Sequence, residues 1–447
     1  MNQTTVKSPS QGVFALLAIS FSGLPMGLAF LRPEWAGLAW MGVALLAFGL
    51  KFEVHKAWLI SGVIIGSCIS HWLGHPWYLE SVVRWSSGLW PLWQVALLWS
   101  SSTLFAEVLP GNFLILLWIC GPRKLKRIPL FVWLPLAWWL GEEAVFWSFN
   151  LCQHLLLYSQ WQIQPVLRAV GFFGWVPALL LCLGLSAALG EALYLKHYKW
   201  GILPLLGGLL LFCLPPLPQH KDRLAGMGAV HLQSYFDLPN SAPSELDILV
   251  WPEVAFSRRP RLNEGLNQKI LLPPPLPSQK TWHVVGYKTL GQLGPQNSVL
   301  VMNAQGQVWG MRSKQLLFPG WERPVLGVGA PHAQYFVPGK MQPLLAVPEK
   351  KLVPLLCLEA FDRRLAHEGV AAGGEVLTVS AIDYGMTQSE LGYQQFVGIA
   401  VLLAVENRLP LVRSSLGGPA ALIDANGEVL AMSHFGEKGI LVYSPAR

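Results

Sequence analysis

Three residue types that nucleophilic acyl chemistry uses fall in one order in the second half of the chain. The run Val353-Pro354-Leu355-Leu356-Cys357-Leu358-Glu359 is an apolar stretch ending in a cysteine and then a carboxylate, the pattern of a strand that delivers a nucleophile to the rim of a sheet. Cys357 is the only cysteine after residue 213. Alone, it reads as a small core residue. Two upstream stretches change that reading: Ile248-Leu249-Val250-Trp251-Pro252-Glu253 is a second apolar strand ending in a carboxylate, and Arg312-Ser313-Lys314-Gln315-Leu316 offers a lysine shortly after a strand and turn. In chain order the sequence supplies a Glu, a Lys and a Cys.

A layered α/β fold must position these residues. Short alternating runs with turn signals predict strands at 228–232, 246–251, 282–286, 298–302, 308–310, 353–358, 376–380, 410–414 and 420–424. Asn303-Ala304-Gln305-Gly306 and Asp424-Ala425-Asn426-Gly427 read as tight turns between them. Helical spacing predicts helices at about 260–269 and 388–407, the latter from Phe396, Ile399, Ala400, Leu403 and Ala404.

Before residue 217 the chain has a different character. A hydrophobic fraction of 53% with 13% charged residues is too apolar for an ordinary soluble protein, and the apolar length is concentrated here. About seven spans are predicted, at 13–31, 34–50, 57–77, 88–120, 128–148, 166–195 and 201–217, most long enough for a hydrocarbon core of roughly 30 Å. The domains are therefore 1–217, a polytopic all-α membrane domain, and 218–447, an α/β globular domain, divided near Leu214-Pro215-Pro216-Leu217-Pro218. Pro110-Gly111 could split 88–120 in two. The basic loops Lys51/Lys56, Arg123-Lys124-Leu125-Lys126-Arg127 and Lys196/Lys199 fall on one side only if that stretch crosses once, which puts the N-terminus in the cytoplasm and the globular domain outside. Glu107, Glu142, Glu143, Glu191 and the pair His71/His75 lie near span ends, where interfacial solvation suffices. The net charge of +7 sits largely beside apolar spans, with no basic stripe interleaved with aromatics, so nucleic-acid binding is excluded as the main role. Cys68, Cys120, Cys152, Cys182, Cys213 and Cys357 show no paired spacing, so neither a disulfide framework nor a metal site is implied, and no motif calls for a cofactor.

With these residues in this order the chain resembles the nitrilase (carbon–nitrogen hydrolase) superfamily, and within it the membrane-embedded apolipoprotein N-acyltransferases, over nearly its whole length. Phe21 to Phe30 and Tyr158-Ser159-Gln160 are similar to segments of that family's membrane part. The resemblance implies an α-β-β-α sandwich in the globular domain, Glu253 as general base, Lys314 as the oxyanion's cation and Cys357 as nucleophile, with the Leu358 N–H as a second oxyanion donor. Glu322, eight residues past Lys314, and Glu359, two past the cysteine, match supporting glutamates of the family. Departures accompany these matches. Leu358 stands where the family has a bulky aromatic, and Ser380-Ala381-Ile382-Asp383-Tyr384-Gly385 replaces its pocket segment. Few residues separate the first two strands, and the sequence ends at Arg447 without the family's last span.

The implied function is acyl transfer from a phospholipid donor to a membrane-anchored protein or peptide amine, by a multi-pass protein of the bacterial inner membrane whose catalytic domain is periplasmic. Shortened relatives of this architecture occur among conjugal transfer proteins of the TraB type. Processing of an envelope component by conjugation machinery is thus an alternative, and a non-catalytic membrane scaffold is another.

Overall fold

A computed structural model describes residues 9–85, 91–122, 124–149, 156–196, 198–234, 239, 246–253, 255, 262–263, 280–324, 335–340, 342–348 and 350–443. The chain divides into two compact units, Met1–Pro215 and Pro216–Arg447.

The first unit is helical. Among the described residues, four helices are long and apolar enough to cross a membrane: Pro9–Leu28, Pro33–Leu50, Lys56–Gly74 and Trp175–Leu195. The pair Thr103–Gly111 and Phe113–Cys120, bent by 57°, makes up to five. The apolar pattern had predicted about seven, and two of its segments are interrupted. Within 88–120 the break falls at Asn112, after a π-helical stretch Thr103–Val108, and the Asn112 amide donates back to Val108 O at 2.8 Å and across to Ser67 Oγ at 3.1 Å. Within 166–195, Gly174 adopts φ +86° and caps the helix Gln164–Phe173 before Trp175 begins the next. The first break falls beside Pro110-Gly111, the point at which the sequence could divide, whereas the second lies in a run that is apolar on both sides of Gly174.

Small residues let these helices approach closely. A Cβ at Gly23 would collide with the Gly66 carbonyl of the neighbouring helix. Two polar anchors are built in. Glu191 accepts from Lys51 Nζ at 2.7 Å and from the Leu130 N–H at 3.2 Å, and buried Gln160 donates to Ala36 O at 2.7 Å while accepting from Trp40 Nε1 at 3.1 Å. Each of the two side chains satisfies a backbone group of another segment, Glu191 the Leu130 N–H and Gln160 the Ala36 carbonyl. His71 and Glu142 are also buried and line one small cavity with Asn112, Ser67 and Ser70.

The second unit is built on a sheet. Its strands are β1 Met227–Leu232, β2 Ile248–Val250, β3 Leu262–Asn263, β4 Trp282–Gly291, β5 Gly294–Met302, β6 Val308–Ser313 and β7 Leu345–Val347. After these come β8 Lys350–Leu356, β9 Val376–Ile382, β10 Leu411–Leu416, β11 Ala421–Ile423, β12 Val429–Met432 and β13 Gly439–Val442. One hydrogen-bonded path runs β6-β5-β4-β2-β1-β10-β9-β8-β7. The middle of that path, from β4 to β8, is parallel, and β5, β6 and β7 are antiparallel additions at its ends. Parallel strands need cover on both faces. Alternate residues accordingly enter two apolar clusters, one holding Met227, Ala229, Ile248 and Val250 and the other Val230, Leu232, Leu249 and Trp251.

Local sequence accounts for the details. Pro354 is tolerated in β8 because β7 pairs only with Lys350 to Leu352, so its missing N–H faces no partner there. Asn303 Oδ1 accepts from the N–H groups of Gln305 and Gln307, and Gly306 at φ +77° completes the hairpin between β5 and β6. The helix predicted at 388–407 is Glu390–Asn407, capped by Ser389. Of the helix predicted at 260–269, Leu262–Asn263 instead pairs with Thr289 and Leu290 of β4, and the rest lies outside the described residues. A helix at Arg363–Ala371, capped by Asp362, escaped the periodicity because its polar face is wide.

The predicted topology has a direct check. A reporter active only outside the cytoplasm, fused after Pro218, should be active, and the same reporter fused within 122–127 should be silent; activity at 122–127 would overturn a single crossing by 88–120.

Candidate active site

Cys357 sits at an elbow. β8 runs to Leu356 in extended conformation, Cys357 takes φ +49°, and a 3-10 helix Cys357–Phe361 begins. A non-glycine residue in this region is strained, at a cost of about 1–3 kcal/mol, and persists only where its surroundings impose it. Glu359 supplies the imposition. Its carboxylate accepts from the Leu356 N–H at 2.9 Å and the Gln315 N–H at 2.7 Å, and receives both Arg312 Nη1 at 2.6 Å and Nη2 at 3.1 Å. The ion pair is buried, with Arg312 2% and Glu359 0% exposed. Glu359 therefore fastens the cysteine elbow to the segment leaving β6, and that segment carries Lys314.

Lys314 is buried against two carboxylates. Its Nζ lies 2.8 Å from Glu253 Oε1 and 2.8 Å from Glu322 Oε2. Glu253 follows the end of β2, Lys314 follows β6, and Glu322 lies in the turn formed by Pro319 and Gly320, whose φ is +78°. Asn297, on β5, donates Nδ2 to Glu253 Oε1 at 2.6 Å and to Glu322 Oε1 at 2.7 Å, and its carbonyl accepts the Lys314 N–H at 2.7 Å. The two carboxylates differ in what they have left. Glu322 uses both oxygens, Oε2 also accepting from the Phe318 N–H at 2.8 Å, whereas among the described residues nothing hydrogen-bonds to Glu253 Oε2. Glu253 has a spare acceptor.

The charges act on one another. Burial pushes the Cys357 thiol well above its ordinary range, and Glu253 and Glu322 add to the rise, while Lys314 and a backbone hydrogen bond at Ile382 oppose it. Burial likewise raises Glu253, with Glu322 adding and Lys314 and Asn297 opposing. For Lys314 burial works the other way, but the Glu253 and Glu322 carboxylates outweigh it and hold the ammonium charged. The thiol and the Glu253 carboxyl are thus both pushed toward their neutral forms by burial, while the ammonium is held charged beside them.

The structure thus draws Glu253, Lys314 and Glu322 into one cluster that acts electrostatically on Cys357, and sets Glu359 in a separate ion pair behind the elbow. Leu358 is buried, and its N–H belongs to the first turn of the 3-10 helix, where N–H groups have no partner within the helix. Two residues escaped the sequence reading. Asn297 was signalled by Gln296-Asn297-Ser298, three consecutive polar residues in a strand buried on both faces, and Arg312 by its place two residues before Lys314. No cluster of His, Cys, Asp or Glu suited to a metal ion occurs among the described residues.

No family model matches the chain. It is 28% identical over 218 residues to the apolipoprotein N-acyltransferase of Geobacter metallireducens, covering 44% of this chain and 39% of that protein. The enzyme of the same name from Rhizobium rhizogenes is 28% identical over 236 residues, covering 47% and 42%, and that of Brucella melitensis 26% over 216 residues, covering 43% and 39%. The matches span about two fifths of those relatives' length. Among solved structures, a Saccharomyces cerevisiae member of branch 10 of the nitrilase superfamily gives a TM-score of 0.35 at 14% identity, over 48% of this chain and 87% of that one. The glutamine-dependent NAD+ synthetase of Acinetobacter baumannii gives 0.34 at 15% identity, over 48% and 44%. The chain is similar to enzymes named apolipoprotein N-acyltransferase, the family that its residues resemble.

Two measurements probe this geometry. Glu253→Gln removes a negative charge beside the thiol, so the midpoint for alkylation of Cys357 by iodoacetamide should fall, even though base-assisted chemistry is lost. Arg312→Met strands the Glu359 carboxylate in the interior and should destabilise the second unit by about 3–5 kcal/mol in denaturant unfolding; a loss under about 1 kcal/mol would mean the pair does not hold the elbow.

Proposed function

We propose that the chain is a membrane-bound acyltransferase of the nitrilase superfamily, working through a thioester on Cys357. The observation that carries this reading is the buried Lys314 held by two carboxylates, of which only Glu253 keeps an unbonded oxygen among the described residues, beside a cysteine strained into an elbow. The relatives named apolipoprotein N-acyltransferase add support, and the substrate class is the one that the family resemblance implies: a phospholipid as acyl donor and an amine of a membrane-anchored protein or peptide as acceptor.

In this mechanism Glu253 Oε2 takes the thiol proton as Sγ attacks the ester carbonyl. The tetrahedral oxyanion meets the third N–H of Lys314 and the N–H of Leu358, and collapse expels the lysophospholipid alkoxide, which recovers the proton from Glu253. The acceptor amine then attacks the thioester, Glu253 removes its proton, and the thiol leaves with that proton restored. Glu322 keeps Lys314 in place and takes no proton. The catalytic unit, folded as an α-β-β-α sandwich, stands on the periplasmic side of a bacterial inner membrane, carried by seven spans.

A second reading keeps the thioester and changes the acceptor. Leu358 and the segment 380–385 differ from the family where a pocket would be shaped, which favours a different partner, such as an envelope component of a plasmid transfer system of the TraB type. Both readings share one test of the nucleophile. Protein incubated with phospholipid should gain the mass of one acyl chain on the peptide containing Cys357, labile to hydroxylamine, and Cys357→Ser should not. Lys314→Met should slow that gain by about a hundredfold or more. Acylation of Cys357→Ser at the wild-type rate would sink the thioester, and a wild type that gains no acyl chain would leave a non-catalytic scaffold as the better description.

A further inference from the structure

Among the described residues, Asn297 is the neutral side chain that hydrogen-bonds to both carboxylates of the cluster, through its amide nitrogen, at 2.6 and 2.7 Å. The reverse amide orientation would press Oδ1 against two carboxylate oxygens, so the network itself fixes which atom is which. Oδ1 is left buried without a hydrogen bond among the described residues. An amide buried for structure would use its acceptor. This one spends both donors on Glu253 and Glu322, and among the described residues its acceptor meets no donor.

The electrostatics explain why a neutral donor stands there. Two carboxylates and one ammonium leave a net negative charge in a dry site, and the groups facing Glu253 are Glu322 from the 319–323 turn, Lys314 from the end of β6 and Cys357 from the elbow. Arg312 is already committed to Glu359 and offers that charge no relief. A second cation in place of Asn297 would quench the basicity that the chemistry requires. A pair of amide N–H groups instead stabilises both carboxylates as anions while leaving Glu253 able to accept a proton through Oε2.

We propose that Asn297 is a positioning residue that holds Glu253 in its proton-accepting form, by donating one N–H to each of the two carboxylates that share Lys314. This rests on Glu253 being the base. Its signature is a pH profile, since the Asn297 amide does not titrate and acts only through Glu253.

The test uses the full chain in detergent, with p-nitrophenyl butyrate as acylating probe and the mass of the Cys357 peptide as readout between about pH 5 and pH 9. Wild type should lose rate on the acid side, and Glu253→Gln should abolish that limb. In Asn297→Ala the limb should move up by about one pH unit, a tenfold change in the proton affinity of Glu253, with most of the rate regained at higher pH. The isosteric Asn297→Asp, which replaces two donors by a third carboxylate, should move it further while preserving shape. A uniform loss at every pH, or an unmoved limb, overturns the proposal and leaves Glu253 as base. A wild-type profile in Glu253→Gln would instead overturn the base assignment itself.

Discussion

One buried ammonium organises the second unit. Lys314 is 1% exposed, and a lysine so placed is tolerable only with opposite charge in contact. Glu253 and Glu322 provide that contact from segments 61 residues before it and eight after, the first at the end of β2 and the second in the turn beyond β6. The three groups can meet only if β2, β5 and β6 keep their places in the sheet. The antiparallel register of β5 on β6, Ser298 opposite Ser313, brings Asn297 level with Lys314, and their backbone hydrogen bond extends the ladder by one step. A slip of one residue would turn every side chain of the pair to the other face and leave the ammonium unpaired.

The second constraint, the elbow at Cys357, is separate from the first and joined to it by a single residue. Glu359 bonds the backbone N–H of Leu356 on one side and of Gln315 on the other, so the positions of sulfur and ammonium are set by one carboxylate. Arg312 neutralises that carboxylate by a two-pronged contact, which only a guanidinium can make. The arrangement keeps charges in distinct roles. Glu359 is fully engaged and geometric, Glu322 is fully engaged and electrostatic, and Glu253 is the one of the three with an unbonded oxygen among the described residues.

Much of this was legible in the sequence, for physical reasons. Strands buried on both faces announce themselves as apolar runs, and a Glu or Cys closing such a run stands out against it, as Glu253 and Cys357 do. Glu322 was marked only by the resemblance, through its place eight residues past Lys314. Asn297 was not, because its significance depends on two partners 44 and 25 residues away in the chain, and a polar residue inside a strand has no local signature of what it faces. The membrane unit was legible as composition and poorly legible as geometry. Apolarity does not register the bend at Asn112 or the left-handed Gly174, since both depend on backbone conformation.

The segment 380–385 brings these strands of reasoning together. Its residues depart from the family pattern, yet they are held firmly: Asp383 accepts from Arg413 Nη2 through both oxygens, at 2.8 and 2.6 Å, and from Ser415 Oγ at 2.7 Å, while Arg413 Nη1 binds Pro419 O. Ile382, at the end of β9, meets Cys357 through its backbone, so the segment's path bears on the sulfur whatever its side chains are. Tyr384, the next residue but one, is 49% exposed. Backbone placement at the nucleophile and side-chain identity at the surface are thereby uncoupled within three residues. Such a segment can change what approaches the cysteine without moving the groups that act on it.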